Sequence, residues 1–409
     1  MRRDLSVPRT GWRDVVAQQG LVYVESPGSP GPCWDESACY TLTLAEVEAL
    51  EEVTEELHDL CLRAARHVVR QGRLAELGVP EWAHDAVVAS FDRDEPSLVG
   101  RFDLRYDGVR PAKLLEYNAD TPTSLVEAAI VQWYWLQDTH PHLDQWNSLH
   151  ERLVERWRAV GTASGVGPVH FAWADDNHGE DLMNTSYHAE TAVEAGLDVR
   201  IVPLHLLGWD GRRFVDDGDE PVDLCFKLYP WEWMLEEPYG RLALDPATPT
   251  RWVEPLWKVV LSNKALLAVL WELHPGHPNL LPAYLDGPRD LDRWVTKPLM
   301  GREGAGVTFS DRRTVPPTPA WGPPPGQHLP RPADLPGPQA PYTPPTLEGL
   351  VVYQEADELP RFGGRHVVLG SWVVADAGGV GRAAGCGFRE SDGPVTDAGA
   401  RFVPHVIQG

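Results

Sequence analysis

The segment from Arg101 to Asn118 contains the side chains whose types and spacing are best suited to chemistry. Its sequence is RFDLRYD, a Gly-Val-Arg-Pro turn at 108–111, and AKLLEYN, which predicts two short strands joined as a hairpin. Residues two apart on a strand point to the same side, so Arg101 and Asp103 share one face. Glu116 and Asn118 share a face for the same reason, and pairing across the turn would bring all four together.

The residue types on this hairpin indicate metal and phosphate chemistry. Two carboxylates and an amide oxygen are hard ligands of the kind that Mg²⁺ uses when it bridges phosphates. Arg101 beside them would supply a planar cation suited to a phosphate or an acyl phosphate. The polar residues 118–122 precede a predicted helix and could present backbone N–H groups to an anion. A surface hairpin with an Arg–Asp pair has the same spacing, so the pattern alone leaves that simpler interpretation open.

Three segments further along the chain could contribute to the same chemistry. Residues 296–307 (TKPLMGREGAGV) form a glycine-rich turn whose N–H groups can surround phosphates, although a tight hairpin turn has the same composition. This turn lacks the Lys-Ser/Thr pair of a Walker A loop. Residues 351–360 (VVYQEADELP) could form a hinge beside adenine or an ordinary edge strand with a charged end. Residues 385–393 (GCGFRESDG) contain an Arg-Glu pair that the sequence alone does not explain.

The rest of the chain predicts the elements that would position these groups. An amphipathic helix begins after Thr43, with Glu46 as its capping-box partner. A strand from residue 169, a helix ending at Gly196 and a strand from residue 200 indicate an α/β unit with a parallel sheet.

Five other segments carry less specific patterns. Residues 1–40 are rich in Pro and Gly and predict irregular structure, and residues 121–138 predict a helix capped near Thr121 or Thr123. Residues 222–234 (VDLCFKLYPWEWM) predict a strand that leads into a loop. Residues 253–273 (VEPLWKVVLSNKALLAVLWEL) predict one buried helix, and residues 366–391 predict antiparallel strands.

The composition excludes several classes of function. The chain has 60 Asp and Glu against 36 Lys and Arg, a formal charge of -24, so most of its surface repels nucleic acid and anionic membranes. No run approaches the ~18 apolar residues that span a bilayer. The five cysteines are odd in number and have no CxxC spacing, which favours reduced thiols. These features predict a cytoplasmic protein that acts on small molecules, with neither nucleic acid nor membrane as a partner.

Taken in order, the chain resembles the synthetase domain of the glutathionylspermidine synthase family. The matching stretches are RFDLRYDG, LLEYNADTPTS, FKLYPWEW, EPLWKVVLSNKALL, VTKPLMGREGAGV, VYQEADELP and GRAAGCGFRES. The resemblance implies an α/β (α+β) ATP-grasp fold with circularly permuted elements, in which the metal-binding segment precedes the ATP-binding lysines. We expect residues 1–99 to form an N-terminal irregular and helical region, like a small α/β pre-ATP-grasp region. Residues 100–409 would form the ATP-grasp synthetase region, with a Pro-rich insertion at 315–346.

The resemblance also implies roles for individual residues. Asp103, Glu116 and Asn118 are the expected Mg²⁺ ligands, and Arg101 is the expected catalytic residue that contacts both ATP and the acyl phosphate. The other residues expected to bind ATP are Lys264, Lys297, Arg302, Gly304, Ala305, Gln354, Glu355, Ala356, Asp357 and Arg389. The residues expected to hold the acid substrate are Thr121, Thr123 and Glu232.

The implied reaction is an ADP-forming ligation of a carboxylate to an amine, with ATP and Mg²⁺ as cofactors. ATP phosphorylates the acid, and the amine then displaces phosphate from the acyl phosphate. A peptide acid such as glutathione and a polyamine such as spermidine are the substrates that the resemblance suggests, and other acids and amines fit equally well. Bifunctional members also carry a cysteine amidase domain, which we expect to be absent here. A catalytically silent nucleotide-binding or scaffold protein and a kinase-like phosphotransferase stay open as alternatives, and the oligomeric state is not indicated.

Overall fold

The computed structural model describes residues 1–25, 31–165, 167–174, 179–302, 304–311, 349–397 and 399–408. The Pro-rich insertion expected at 315–346 lies outside the described residues. Helices and several sheets share the described ranges, so the mixed α/β class expected from the sequence is confirmed. Among the described helices, none is long and apolar enough to cross a membrane.

The helices of the described chain lie between Trp12 and Leu273. The α-helices are α1 (Trp12–Gln18), α2 (Leu44–Arg70), α3 (His84–Asp92), α4 (Gln132–Thr139), α5 (Leu149–Ser164), α6 (Glu180–Glu194), α7 (Trp231–Glu236), α8 (Pro238–Leu244), α9 (Lys258–Leu261) and α10 (Leu266–Leu273). A π-helix spans Glu127–Val131, and short 3₁₀ helices span Leu74–Leu77, Glu81–Ala83 and Leu204–Leu206.

The strands are also numbered in chain order. They are β1 (Arg2–Leu5), β2 (Ala38–Leu42), β3 (Val99–Arg105), β4 (Lys113–Asn118), β5 (Val169–Trp173), β6 (Val199–Pro203), β7 (Gly208–Trp209), β8 (Phe214–Val215), β9 (Leu224–Leu228), β10 (Arg251–Val253), β11 (Ala283–Tyr284), β12 (Trp294–Pro298), β13 (Thr308–Phe309), β14 (Val351–Glu355), β15 (Arg361–Phe362), β16 (Arg365–Ala375), β17 (Gly381–Ser391), β18 (Arg401–Val403) and β19 (His405–Ile407).

The largest sheet has the order β18-β17-β16-β3-β4, with β15 on β16, and its pairs are antiparallel. It contains the predicted antiparallel strands of 366–391 as β16 and β17, which confirms that prediction. The predicted hairpin is confirmed as β3 and β4. Asp107 Oδ1 accepts the backbone N–H groups of Val109 and Arg110 at 2.9 and 2.8 Å, and Gly108 takes a left-handed φ of 80°.

The two faces of the β3–β4 hairpin have different environments because strand residues alternate. On one face the rings of Phe102 and Tyr117 stack with centroids 3.9 Å apart, and the Tyr117 hydroxyl lies 2.9 Å from Nδ1 of His58 on α2. Burial of this face against α2 leaves the alternate residues free to line a cleft. The predicted cap of α2 is confirmed, since Thr43 and Glu46 form both bonds of a capping box.

A second sheet, of order β10-β9-β5-β6, is parallel throughout. Helix α6 connects β5 to β6, as the strand–helix–strand pattern predicted. An antiparallel sheet of order β11-β14-β12-β13 carries the glycine-rich turn between β12 and β13. In a further sheet, β2 pairs with β1 and with β19 at the other end of the chain.

Two predictions near the chain start and in residues 222–234 were wrong. Residues 1–40 contain β1, α1 and the start of β2, because long-range pairing with β19 orders a stretch whose local sequence specifies little. After β9 the chain forms α7 where a loop was predicted. Pro230 precedes the first turn with a φ of -62°, which is preorganised for a helix start, and Trp231 N–H is bound by a buried carboxylate.

Two predicted helices have different boundaries. The segment 253–273 begins at the last residue of β10 and contains two short helices, α9 and α10, separated around Asn263. Asn263 Oδ1 accepts the N–H of Ala265 at 2.9 Å, and the Lys264 N–H donates to Leu299 O at 2.8 Å, so these bonds replace the helical ones. The helix of 121–138 begins at Leu125, after the predicted caps Thr121 and Thr123, and its residues Glu127–Val131 are π-helical.

His405 on β19 lies in a buried polar network that requires a neutral ring. Its Nε2 accepts the Trp146 N–H at 3.1 Å, and its Nδ1 lies 2.9 Å from Gln132 Oε1. Both contacts fit one neutral tautomer, with the proton on Nδ1. Burial lowers the pKa of His405 from 6.5 to about 3, since a charged ring would be desolvated.

The stability of the chain should therefore fall with pH on the acid side. The contribution of His405 is fully present above pH 6.5 and is lost as the pH falls toward 3, because the unfolded chain takes up the proton first. Each pH unit costs up to about 1.4 kcal/mol, or about 2 kcal/mol at pH 5. Urea unfolding at pH 7.5 and pH 5 measures this loss. The loss of stability between the two pH values should be smaller in His405→Gln than in the wild-type chain, and unchanged in the exposed control His205→Gln. An equal loss in the wild-type chain and in His405→Gln contradicts the assignment.

Candidate active site

A cleft of about 300 Å³ lies between the β3–β4 side of the large sheet and the β11-β14-β12-β13 sheet. Its lining includes every residue that the sequence predicted for the site except Glu232. These residues come from five separate segments of the chain, so their convergence reflects the tertiary fold.

The β3–β4 hairpin brings the four polar residues together at the base of the cleft. In its register Arg101 lies opposite Asn118 and Asp103 lies opposite Glu116. A bulge follows this pair and leaves Leu115 without a partner, which is typical of strands that aim side chains into a site. Asn118 Nδ2 lies 3.3 Å from Glu116 Oε1, so the amide and the carboxylate are close enough to share one ligand.

Two guanidinium groups hold the carboxylate of Asp103. Arg101 Nε donates to Oδ1 at 3.0 Å, and Arg389 on β17 donates to Oδ2. Arg101 also donates to the carbonyl of Thr123, which ties the hairpin to the segment before the π-helix. Gly370 on β16 lies opposite Asp103 between these strands, and its missing side chain leaves room for the stem of Arg101.

Two lysines occupy the other side of the cleft base. Lys264 Nζ lies 3.2 Å from Glu116 Oε2 and donates to Gly301 O at 2.8 Å. Lys297 Nζ donates to the bulge carbonyl of Leu115 at 2.8 Å and to Gln354 Oε1 at 2.7 Å. Both ammonium groups are thus fixed by carbonyl oxygens, and Lys264 also forms an ion pair with Glu116.

The pKa values of these groups reflect burial and mutual charge. Burial lowers the pKa of Lys297 to about 8, opposed by the charge of Glu116. Burial alone would raise the pKa of Glu116, but Lys264 and Lys297 outweigh it and hold that pKa well below its ordinary value. Glu116 is therefore a carboxylate at neutral pH.

The base of the cleft has an excess of positive charge. Arg101, Arg389, Lys264 and Lys297 share the two carboxylates of Asp103 and Glu116. Cations gathered in a partly buried cleft repel one another unless an anion neutralises them. In a chain with a formal charge of -24, this local excess indicates a site for a strongly anionic ligand.

The glycine-rich turn lies over the cleft. Gly304 and Gly306 have left-handed φ values of 72° and 70°, which side chains rarely adopt. Gly304 packs so closely on Val395 that a Cβ atom would clash with it. The turn thus rests on the loop that follows β17, whose residues Pro394–Asp397 also line the cleft.

Sequence reasoning missed several lining residues, most of which fall into two groups. One is an apolar wall, made of Leu115, Val295, Val307, Phe309, Leu359 and Val368. Alternation along β12 and β14 could have revealed part of this wall, since Val295 and Lys297 are two apart. The other group is the loop at 394–397, which reaches the cleft only through the pairing of β17 in the large sheet, and no local motif signals it.

Glu232 lies outside the cleft lining, beside a buried ion pair. Asp120 accepts from Lys227 at 2.8 Å and from the Trp231 N–H at 2.7 Å, which fixes the start of α7. Burial raises the pKa of Glu232 to about 7, and Asp120 acts in the same direction, while its own N–H, Lys227 and Arg302 oppose it. The substrate role of Glu232 stays a prediction.

Comparison with known proteins places the chain in a family. The sequence profile described as glutathionylspermidine synthase preATP-grasp matches residues 3–408. The chain belongs to the glutathionylspermidine synthase family. This confirms the resemblance drawn from the motifs and, at the level of the family, the expectation of an acid–amine ligase.

Three relatives show the range of this family. A Haemophilus influenzae protein carried under the name acid–amine ligase is 38% identical over 398 residues, which cover 95% of this chain and 94% of that protein. Trypanothione synthetase of Crithidia fasciculata is 25% identical over 85% of this chain and 53% of its own length. The bifunctional glutathionylspermidine synthetase/amidase of Escherichia coli is 26% identical over 66% of this chain and 47% of its own. The matched region thus spans about half the length of the latter two proteins.

A methyl group at Gly370 should disturb the site without unfolding the chain. In Gly370→Ala the new Cβ would lie 3.2 Å from Arg101 Cδ, so the guanidinium must shift by a few tenths of an ångström. We expect about a tenfold loss of nucleotide-dependent turnover, because small misplacements of charged groups weaken catalysis. Gly167→Ala is the matched control, since nothing lies within 4 Å of its Cβ. Equal turnover in both variants contradicts the close packing.

Proposed function

We propose that the chain is an ATP-dependent ligase that joins a carboxylic acid to an amine through an acyl phosphate, with ADP and phosphate as the other products. The observation that supports this most strongly is the excess of four cationic groups over two carboxylates at the cleft base. A nucleoside triphosphate is an anion of suitable size and charge for such a site.

The acidic residues of the hairpin fit a magnesium site. Asp103, Glu116 and Asn118 offer two carboxylates and an amide oxygen, and Mg²⁺ completes such a partial set with phosphate oxygens and water. When bound, Mg²⁺ would neutralise charge on the phosphates. Binding requires Asp103 to give up some contact with Arg101 and Arg389, whose guanidinium groups would then be free for phosphate oxygens.

The remaining cleft residues would bind different parts of the nucleotide. Lys264 and Lys297 would bind its phosphates, the turn at 301–306 would cover them, and the hinge at 354–357 with the apolar wall would enclose the base. The lid also has a chemical purpose, because water must be excluded from the acyl phosphate. Arg101 would contact the phosphoryl group as it is transferred, and Thr123, whose carbonyl it holds, would lie beside the acid together with Thr121.

The order of these elements supports a circularly permuted ATP-grasp arrangement. The hairpin with Asp103 and Glu116 precedes both lysines in the chain, and the glycine-rich turn follows Lys297, which lies on β12. We also propose the boundary at residue 99 between an N-terminal region and the synthetase region, although β2 before this boundary pairs with β19 after it. The names of the relatives suggest a peptide acid and a polyamine as substrates, and a cytoplasmic location fits both.

The reaction can be tested with a matrix of acids and amines. Glutathione, γ-glutamylcysteine and glutamate are combined with spermidine, putrescine or ammonia, and ADP and inorganic phosphate are measured with ATP and Mg²⁺ present. We expect equal ADP and phosphate release that requires both an acid and an amine. Phosphate retained on the substrate would indicate a phosphotransferase, and no release with any pair would indicate a catalytically silent protein.

Substitution of the metal ligand tests the site itself. Asp103→Asn removes a charged ligand and leaves two guanidinium groups without their carboxylate. We expect turnover to fall by about 100-fold or more. Asp59→Asn, on the exposed surface of α2, is the control and should match the wild-type chain. Full activity in Asp103→Asn would remove the metal assignment.

A further inference from the structure

The ion pair of Asp120 and Lys227 lies outside the cleft lining, although the chain neighbours of Asp120 line the cleft. Asp120 and Lys227 are 3% and 0% exposed, and Lys227 Nζ donates to Asp120 Oδ1 at 2.8 Å. Thr121 and Thr123, which follow Asp120 in the chain, both belong to the cleft lining. The pair can therefore act on the site only through the backbone that it holds.

The two oxygens of the Asp120 carboxylate hold different points of the junction between β9 and α7. Oδ1 accepts from Lys227 on β9, and Oδ2 accepts the Trp231 N–H at 2.7 Å, where α7 begins. Lys227 also donates to the Tyr229 carbonyl at 2.8 Å, and its ammonium group lies 4.5 Å from the centroid of the Trp231 ring. Charge-assisted bonds thus fix Asp120 against the parallel sheet.

The segment 120–123 is held at both ends. Asp120 fixes its start against β9 and α7, and Arg101 donates to the carbonyl of Thr123 at its end. Thr121 and Thr123 are half-buried in the cleft wall. Because so short a segment between two fixed points has little conformational freedom, the position of both threonines depends on both anchors.

Stability alone does not require a charged pair at this place. Burial of an ion pair costs desolvation that the attraction of the two charges repays only in part, and apolar residues of similar volume often replace such a pair without loss of stability. A charged pair adds direction, because hydrogen bonds fix both oxygens of Asp120 relative to Lys227 and Trp231.

We propose that Asp120 and Lys227 are positioning residues for the acid substrate. The inference rests on the proposed ligase function, in which the acid lies beside Thr121 and Thr123. The pair holds both threonines next to Arg101, where the carboxylate of the acid would meet the transferred phosphoryl group. Small misplacements of such a segment weaken binding and catalysis without removing any group that contacts the substrate.

Loss of the pair should affect the acid more than the nucleotide. The groups proposed to bind magnesium and phosphate are held by other contacts. The pairing of β3 with β4 holds Asn118, and carbonyl oxygens hold Lys264 and Lys297. KM for the acid should therefore rise while KM for ATP stays at its wild-type value.

The test removes both charges together, because a single change leaves the other charge buried without a partner. KM for the acid and KM for ATP are measured by phosphate release in the double variant Asp120→Asn, Lys227→Met, using the acid and amine most active in the matrix. Its urea midpoint should lie closer to the wild-type value than that of either single variant. We expect KM for the acid to rise about tenfold, with KM for ATP within about twofold of wild type. A wild-type KM for the acid in the folded double variant, or an equal rise in both KM values, would overturn the inference.

Two further variants separate position from charge and from general stability. Asp120→Glu keeps both charges and displaces the carboxylate by one methylene group, so KM for the acid should also rise; a wild-type value in this variant would overturn the inference even where the double variant does not fold. The control Arg9→Met, Glu36→Gln removes another buried ion pair outside the cleft lining and should leave both KM values unchanged. A wild-type chain that releases no phosphate with any acid and amine would instead refute the ligase proposal.

Discussion

The charge balance at the cleft base is the constraint on which the rest of the site depends. Four cationic side chains share two carboxylates, in a chain whose overall charge is strongly negative. The local excess persists because each cation is fixed by the fold, the lysines by carbonyl oxygens and the arginines by Asp103. A magnesium-bound triphosphate remains anionic and would neutralise this excess, which ties the proposed nucleotide chemistry to the architecture.

The large antiparallel sheet positions several of the charged side chains on which this balance depends. Successive residues of a strand point to opposite faces of this sheet. Phe102 and Tyr117 therefore pack on α2, and their neighbours are directed into the cleft. The glycine at 370 leaves room for the stem of Arg101 beside Asp103, and Arg389 on β17 reaches Asp103 across the intervening strand β16. The β11-β14-β12-β13 sheet provides the opposite wall and carries the glycine-rich turn. A rigid floor and a glycine-rich cover are suited to a reaction whose intermediate must be kept from water.

Much of the site could be predicted from the sequence because its signals are local. The two-residue spacing of Arg101 with Asp103, and of Glu116 with Asn118, is set by strand geometry alone, and the turn at 108–111 fixes their pairing. The parts that could not be predicted depend on distant contacts. The loop at 394–397 reaches the cleft through β17, and the break at Asn263 depends on a bond from Lys264 N–H to Leu299.

The formation of an acyl phosphate is the central claim, and isotope transfer tests it most directly. The acid substrate is prepared with ¹⁸O in its reacting carboxylate and incubated with ATP, Mg²⁺ and the amine, and the released phosphate is analysed by mass spectrometry. Attack of the carboxylate on the γ-phosphorus carries one carboxylate oxygen into the phosphate, so the account predicts one ¹⁸O atom in each phosphate released. Amide formation with phosphate free of ¹⁸O would contradict it.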